Sequence, residues 1–331
     1  MGRGAAPTRA VLGRFVLATG RCAAAAILSA LMATLTIPAT SRSDTLFVVD
    51  RDNSLIGEYS TSGTAVNPAL ITGLVLPVSV AVSGSNLFVT GLNDTIGEYT
   101  TSGATVNATL FTGVPAGPIA VSGSNLFVEN PGTNTIAEYT TSGATVNARL
   151  ITNSLDSPQG MALSGSNIFV ANYFSGTVGE YTTSGATVNA SLITGLNAPA
   201  YIAVSGSSLF VVTQDPGAPS GTDTIGEYTT SGATVNAHLI TGLAAGAIAV
   251  SGSNLFVVNW GSFKTPLGPA AIGEYTTSGA TVNASLITGL NYPTDITVVP
   301  VPEPGTLLLL GVGVVGLVAV RARRTALALA R

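Results

Sequence analysis

The side chains that could do chemistry are few. The chain of 331 residues holds one histidine, His238, and one cysteine, Cys22. One imidazole and one thiol cannot assemble a structural zinc site, and a His-based nucleophilic triad would have to rest on His238 alone. What recurs instead is a carboxylate: Glu58, Glu98, Glu138, Glu180, Glu227 and Glu274, each inside a (Gly/Ala)-Glu-Tyr triplet. Six carboxylates could ring a cation, but catalysis needs one position to differ from the others, and these six are alike. They are expected to lie away from the axis and to accept hydrogen bonds from Thr or Tyr groups of the adjacent copy. His238 aligns with Ala69, Thr109, Arg149, Ser191 and Ser285, a tolerance that marks a solvent-facing position. Asn107-Ala108-Thr109, Asn189-Ala190-Ser191 and Asn283-Ala284-Ser285 fit the N-glycosylation pattern. The repeated V-N-A-x-L generates them, so they read as structural. Gly311-Val312-Gly313-Val314-Val315-Gly316 matches a dinucleotide fingerprint, yet no βαβ unit surrounds it and no acid follows it. No catalytic residue, metal set or cofactor is expected.

The elements that position these residues follow from the triplet's tyrosine. Tyr59, Tyr99, Tyr139, Tyr181, Tyr228 and Tyr275 are spaced by 40, 40, 42, 47 and 47 residues. Each interval holds four strand-like segments, the pattern of a β-propeller. Strand a is I-A-V-S, with larger residues alternating with alanine, as in Ile119/Val121 and Ile202/Val204. Small residues between them suit the innermost strand, where the blades crowd together. Strand b is L-F-V-V, apolar on both faces as a strand between two neighbouring blades must be. Strand c carries the triplet, and strand d is T-V-N-A-x-L-I-T. Ser-Gly-Ser-Asn turns a into b and Thr-Ser-Gly turns c into d.

The array has complementary ends. Its first copy opens on strand b, Leu46–Val49; its last stops after strand a, Asp295–Val299. Pairing Ile296–Val299 with Leu46–Val49 completes a sixth blade. The fold expected is therefore all-β, a six-bladed propeller over 44–299 closed by its terminal strands. An open solenoid would need caps and would leave a strand edge exposed.

Charge is segregated. All sixteen acidic residues lie between 44 and 305, against Arg51, Arg149 and Lys264, so this body carries a net −13. That argues against nucleic acid or an anionic membrane surface as partner. Residues 1–43 read as a secretory signal peptide, with basic Arg3, Arg9, Arg14 and Arg21, apolar Ala23–Ile37 and a small-x-small site at Ala39-Thr40-Ser41. Cys22 follows Arg21 and precedes the apolar run, a poor setting for lipidation.

At the other end, Val301-Pro302-Glu303-Pro304 precedes an apolar run, Thr306–Val320, and then Arg321, Arg323 and Arg324. This order resembles the PEP-CTERM sorting signal of Gram-negative bacteria that make extracellular polysaccharide; the tail Thr325–Arg331 departs from its pattern. The resemblance implies an exosortase as partner, reading the Pro-Glu-Pro motif, cleaving nearby and passing the body outward. The physics agrees independently. Fifteen residues interrupted by Gly311, Gly313 and Gly316 are short against the ~20 that span a bilayer, which suits a transient anchor formed by a C-terminal hydrophobic helix over 300–331. The arginines beyond hold the C-terminus in the cytoplasm.

The b–c loops vary most between copies. They are expected on the same face as the d–a links, and variable loops on a rigid scaffold carry function. The candidate ligand face is Tyr173, Phe174, Trp260, Phe263 and Lys264. The strand pattern P-x-x-I-A-V-S-G-S-N-L-F-V-x-N…T-I-G-E-Y also resembles NHL-type repeats, departing from them in the a–b turn. Some six-bladed relatives are calcium-dependent lactonases. Their metal set has no full match here, although Asp50, Asn130, Asn172 and Asn259 end strand b near that face.

The expected role is a non-catalytic structural or binding module of the envelope or exopolysaccharide matrix, with polysaccharide or a surface protein as partner. The alternative is a calcium-dependent lactonase- or lyase-like enzyme with its site at the top of the channel. Mass spectrometry of the mature protein from its own host is expected to show loss of both the leader and the C-terminal apolar segment. Retention of either would overturn the two-ended processing.

Overall fold

The computed structural model describes residues 44–216, 221–260 and 270–300. The expected signal peptide over 1–43, the sorting motif from Val301 to Arg324 with its apolar segment, and Phe263 and Lys264 lie outside them. Among the described residues there is no helix long and apolar enough to cross a membrane.

Twenty-four strands form six antiparallel four-stranded sheets. The first sheet contains β1 (Thr45–Asp50), β2 (Leu55–Ser60) and β3 (Ala65–Thr72). The second is β4 (Pro77–Ser83), β5 (Asn86–Gly91), β6 (Thr95–Thr100) and β7 (Thr105–Thr112). The third is β8 (Ile119–Ser122), β9 (Asn125–Asn130), β10 (Thr135–Thr140) and β11 (Thr145–Ile151). The fourth is β12 (Pro158–Ser164), β13 (Asn167–Asn172), β14 (Thr177–Thr182) and β15 (Thr187–Ile193). The fifth is β16 (Pro199–Ser205), β17 (Ser208–Thr213), β18 (Asp223–Thr229) and β19 (Thr234–Leu243). The sixth is β20 (Ala245–Ser251), β21 (Asn254–Asn259), β22 (Ala270–Thr276) and β23 (Thr281–Leu290). The last strand, β24 (Pro293–Val299), returns to the first sheet, whose order is β24-β1-β2-β3. Leu46 lies opposite Val298, and Val48 opposite Ile296. The six-bladed ring is closed as its terminal strands predict.

Burial explains why the ring holds. Strand b sends Leu and Val to the preceding blade and Phe to the following one. Leu46 and Val48 join Phe256, Ile272 and Ile287 of the sixth blade, while Phe47 and Val49 join Val80, Leu87 and Tyr99 of the second. The same division recurs at every seam, giving six apolar clusters for six interfaces. Phe47, Phe88, Phe127, Phe169, Phe210 and Phe256 are all fully buried.

Two glycine positions are dictated by close approach. In the triplet, the tyrosine ring folds over the residue two before it: a Cβ on Gly97 would lie 2.7 Å from Tyr99 Cε2. In the c–d turn, a Cβ on Gly103 (φ +89°) would meet Leu70 O of the previous blade at 2.5 Å. The equivalent pair Gly63 and Leu286 joins the first blade to the sixth. The a–b turns place Gly84 and its counterparts at positive φ, as a two-residue hairpin with glycine first requires.

The recurring glutamates have partners other than those expected. Asn86 Nδ2 donates to Glu98 Oε1 at 2.6 Å, Asn125 to Glu138 at 2.7 Å, Asn167 to Glu180 at 2.7 Å and Asn254 to Glu274 at 2.7 Å. Ser208 Oγ serves Glu227 at 2.9 Å. The donors sit on strand b of the same blade, not on Thr or Tyr of the next, because antiparallel pairing sets the first residue of strand b near the glutamate of strand c. The V-N-A asparagines accept from the amide two residues on, as Asn107 does from Thr109 at 3.1 Å, beside a register shift in strand d. This breaks the outer edge of each blade and blunts it as a template for further pairing. His238 is exposed on that edge.

The body contains no cysteine, so a disulfide can be introduced cleanly across the closure, where Thr45 faces Val299. Oxidised Thr45→Cys/Val299→Cys is expected to gain about 2–4 kcal/mol in denaturant unfolding, lost on reduction. Failure of the pair to oxidise would deny the closure.

Candidate binding site at the channel mouth

The six innermost strands face one another across the axis, and their N-terminal ends and the b–c loops share one face. Backbone bonds tie the two sets of segments together: Asp52 N–H to Asn291 O, Leu92 to Leu76, Tyr173 to Ser157 and Trp260 to Ala244. On this face the axis opens into a cavity of about 530 Å3, within the range of ligand pockets, lined by the innermost strands of all six blades.

Repetition ends at its mouth. The residue following strand b is Arg51, Leu92, Pro131, Tyr173, Gln214 or Trp260 in successive blades. The third residue of β16 and of β24 are Tyr201 and Asp295, where β4 has Ser79 and β12 has Gly160. Trp260, Tyr201, Tyr292 and Arg51 come together. Trp260 and Tyr292 stack with ring planes 6° apart and centroids at 5.8 Å; Tyr201 meets Trp260 edge-on at 6.2 Å. The Arg51 guanidinium lies 5.4 Å from the Tyr292 ring centre. Trp260 is pinned by its indole N–H, which donates to Pro293 O at 2.7 Å. It also needs Gly246, where a Cβ would sit 2.8 Å from the indole. Tyr292 has φ +55°, as Leu76, Ser157 and Ala198 have similar positive values in their d–a links. Each precedes the proline that starts strand a, so the link geometry is architectural and Tyr292 carries its strain at the mouth.

Below the aromatic group, Asp295 fastens the closing strand. Ser79 Oγ–H donates to its Oδ2 at 2.5 Å and the Val80 amide at 2.9 Å, while the Ile296 amide reaches Oδ1 at 2.8 Å. Ser79 in turn accepts from the Ile119 amide at 3.2 Å, so three blades are linked through one carboxylate. Burial pushes Asp295 up to about 6 despite its donors. Burial, with Asp295 and Tyr292 adding repulsion, raises the Tyr201 phenol, which stays neutral.

Of the sequence-predicted ligand face, Trp260 lies in this site. Tyr173 and Phe174 pack edge-to-face at 5.4 Å on the fourth blade, away from the cavity lining, with Phe174 74% exposed. Arg51, Tyr201, Tyr292 and Asp295 were not among the residues expected on that face. Their signal was present: each breaks the repeat at its own position. Asp50 and Asn172, which end strand b, are spent on structure. Asp50 accepts from the Asn291 amide at 2.9 Å and from Asn53 at 3.0 Å; Asn172 accepts from the Asp156 amide at 3.1 Å. Among the described residues, no group of three or more His, Cys, Asp or Glu is placed to hold a metal.

One acid lies outside this pattern. Glu129 on β9 takes a place held by Val49, Val212 and Val258 in other blades, and shares the face of Phe127 toward the fourth blade. It is fully buried, neither oxygen has a hydrogen-bond partner, and burial raises it well above the ordinary carboxylate range.

These features define a six-bladed β-propeller with an aromatic and cationic channel mouth. Its solved likenesses agree on the fold. A protein from Agrobacterium tumefaciens assigned as TolB matches with a TM-score of 0.56 at 12% identity, covering 78% of this chain and 99% of that one. A chain of a nidogen/laminin complex matches with a TM-score of 0.54 at 13% identity, covering 77% and 98%. A gluconolactonase from Xanthomonas campestris matches with a TM-score of 0.50 at 14% identity, covering 65% and 79%. No curated protein sequence matches significantly. Residues 300–324 match the PEP-CTERM protein-sorting motif. That motif implies an exported protein, held transiently at the membrane by its C-terminus and processed by an exosortase.

Both raised acids give stability a definite pH sign. In each, the folded state keeps a proton that the unfolded chain has released, so stability falls as pH rises above the unfolded value near 4. For Asp295 the fall ends near pH 6. Asp295→Asn is expected to lessen the fall in melting temperature between pH 4 and 6, the remainder coming from Asp50, Glu58, Glu129, Asp223 and Glu274, which burial also raises. Glu129→Val is expected to stabilise by about 1–3 kcal/mol at pH 7, and by less at pH 4. Calorimetry across this range checks both.

Proposed function

We propose that this exported propeller acts without catalysis, as a saccharide-binding module of the envelope or exopolysaccharide matrix, and that its binding site is the channel mouth around Trp260. The observation that carries this reading is the Trp260–Tyr292–Tyr201 group beside a cavity of about 530 Å3. Flat aromatic faces suit the apolar C–H faces of sugar rings, and a pinned indole loses little freedom on binding. The sorting motif supports the setting, since a protein passed outward meets polysaccharide there.

The competing reading is a calcium-dependent lactonase- or lyase-like enzyme. Its support is the gluconolactonase likeness, which at 14% identity speaks for fold alone. Against it stands the engagement of Asp50 and Asn172 with backbone amides and Asn53, which leaves these strand-end groups committed to loop structure.

Affinity electrophoresis in the host's own extracellular polysaccharide tests the proposal. Trp260→Ala is expected to weaken retardation at least tenfold, and Phe174→Ala, on another loop of the same face, to leave it unchanged. Equal loss in both, or a melting temperature raised by calcium and returned by chelator, would overturn it.

A further inference from the structure

We propose that the channel mouth selects a saccharide bearing a carboxylate, a uronic acid unit, with Arg51 as the residue that reads the charge. This rests on the saccharide reading above and deepens it. Between 44 and 305 the chain has three cations against sixteen acids, so most cations there would be expected to find a carboxylate. Arg51 has not. Its Nε is buried without a hydrogen-bond partner, and its side chain lies over the Tyr292 ring on the cavity wall.

The two acids of the mouth with described partners are committed elsewhere. Asp50 accepts from Asn53 and the Asn291 amide, and Asp295 from Ser79, Val80 and Ile296. A guanidinium with no carboxylate partner among the described residues gives an incoming carboxylate nothing to displace. A guanidinium also matches a carboxylate with two parallel N–H donors, which a neutral hydroxyl cannot reproduce.

Position supports the assignment. Arg51 and Trp260 are equivalent residues of adjacent blades, and Tyr292 lies between them on the link into β24. A sugar ring against the aromatic pair would therefore place a ring substituent within the reach of Arg51. No other described blade offers a cation at this position: Leu92, Pro131, Tyr173 and Gln214 stand there. The net −13 of the body does not forbid an anionic ligand. At physiological ionic strength, exposed charges beyond about 8 Å are largely screened, while a partly buried contact is screened much less.

The test uses tetragalacturonic acid and its fully methyl-esterified form, which keeps the ring shape and removes the charge. Isothermal titration with the wild-type body is expected to show the acid bound at least tenfold more tightly than the ester. Arg51→Gln is expected to abolish the difference, so that the acid binds no more tightly than the ester. Its melting temperature should stay near wild type, because Arg51 lies on a loop and forms no ion pair with a described residue. Equal binding of acid and ester by the wild type would overturn the charge selection while leaving the saccharide reading intact. A preference that survives Arg51→Gln would remove Arg51 from the role. Binding of neither form would sink both proposals.

Discussion

The constraint on which the structure depends is that strand b is apolar on both faces. A sheet with one apolar face can rest on a single partner. A sheet whose second strand presents Leu and Val to one side and Phe to the other must be covered twice. A linear stack would leave two such faces open at its ends. A ring leaves none, so the pairing of β1 with β24 is the condition under which the other five blades can bury their cores. The closure is reinforced at three radii. Asp295 links β24 to β4 near the axis, the Leu46 and Val48 cluster fills the middle of the seam, and the Gly63–Leu286 contact lies at the rim.

What repeats in this chain is scaffold, and what does not repeat gathers at one end of the axis. The glutamates, tyrosines and glycines of the triplet satisfy one another within and between blades. Five of the six glutamates are tied to the first residue of strand b, tyrosine lies over glycine, and the c–d turn packs on the preceding leucine. Arg51, Tyr201, Trp260, Tyr292 and Asp295 each depart from the consensus of their position, and the geometry collects them around one cavity. A symmetric ring offers six equivalent places, and chemistry requires the symmetry to be broken.

The same group of residues has two duties. Trp260 and Tyr292 lie across the seam between the sixth blade and the closing one, and the indole bond to Pro293 helps to hold β24 in place. Binding at this mouth would therefore tighten the seam by mass action, since a ligand held only by the closed ring stabilises it. For an exported body without cysteine, stability comes from packing and closure rather than from disulfides.

Much of the fold was legible in the chain. The tyrosine period, the four strand patterns and the complementary half-blades set the number of blades and the manner of closure, because each is a local pattern that a propeller must show. The C-terminal motif was equally plain, since Pro-Glu-Pro, apolar run and arginines are contiguous. The glutamate partners were misassigned across blades, because choosing between an adjacent strand and an adjacent copy requires the register. The site was only partly visible. Trp260 stood out as a loop aromatic, but Arg51 and Tyr292 are 241 residues apart in sequence and meet only because the ends of the chain lie in one sheet. The sequence by itself determined the repeating architecture, because periodicity is a property of neighbours along the chain. Tertiary structure alone decided which exceptional residues share a cavity, because that depends on how a closed ring folds distant segments onto a single axis.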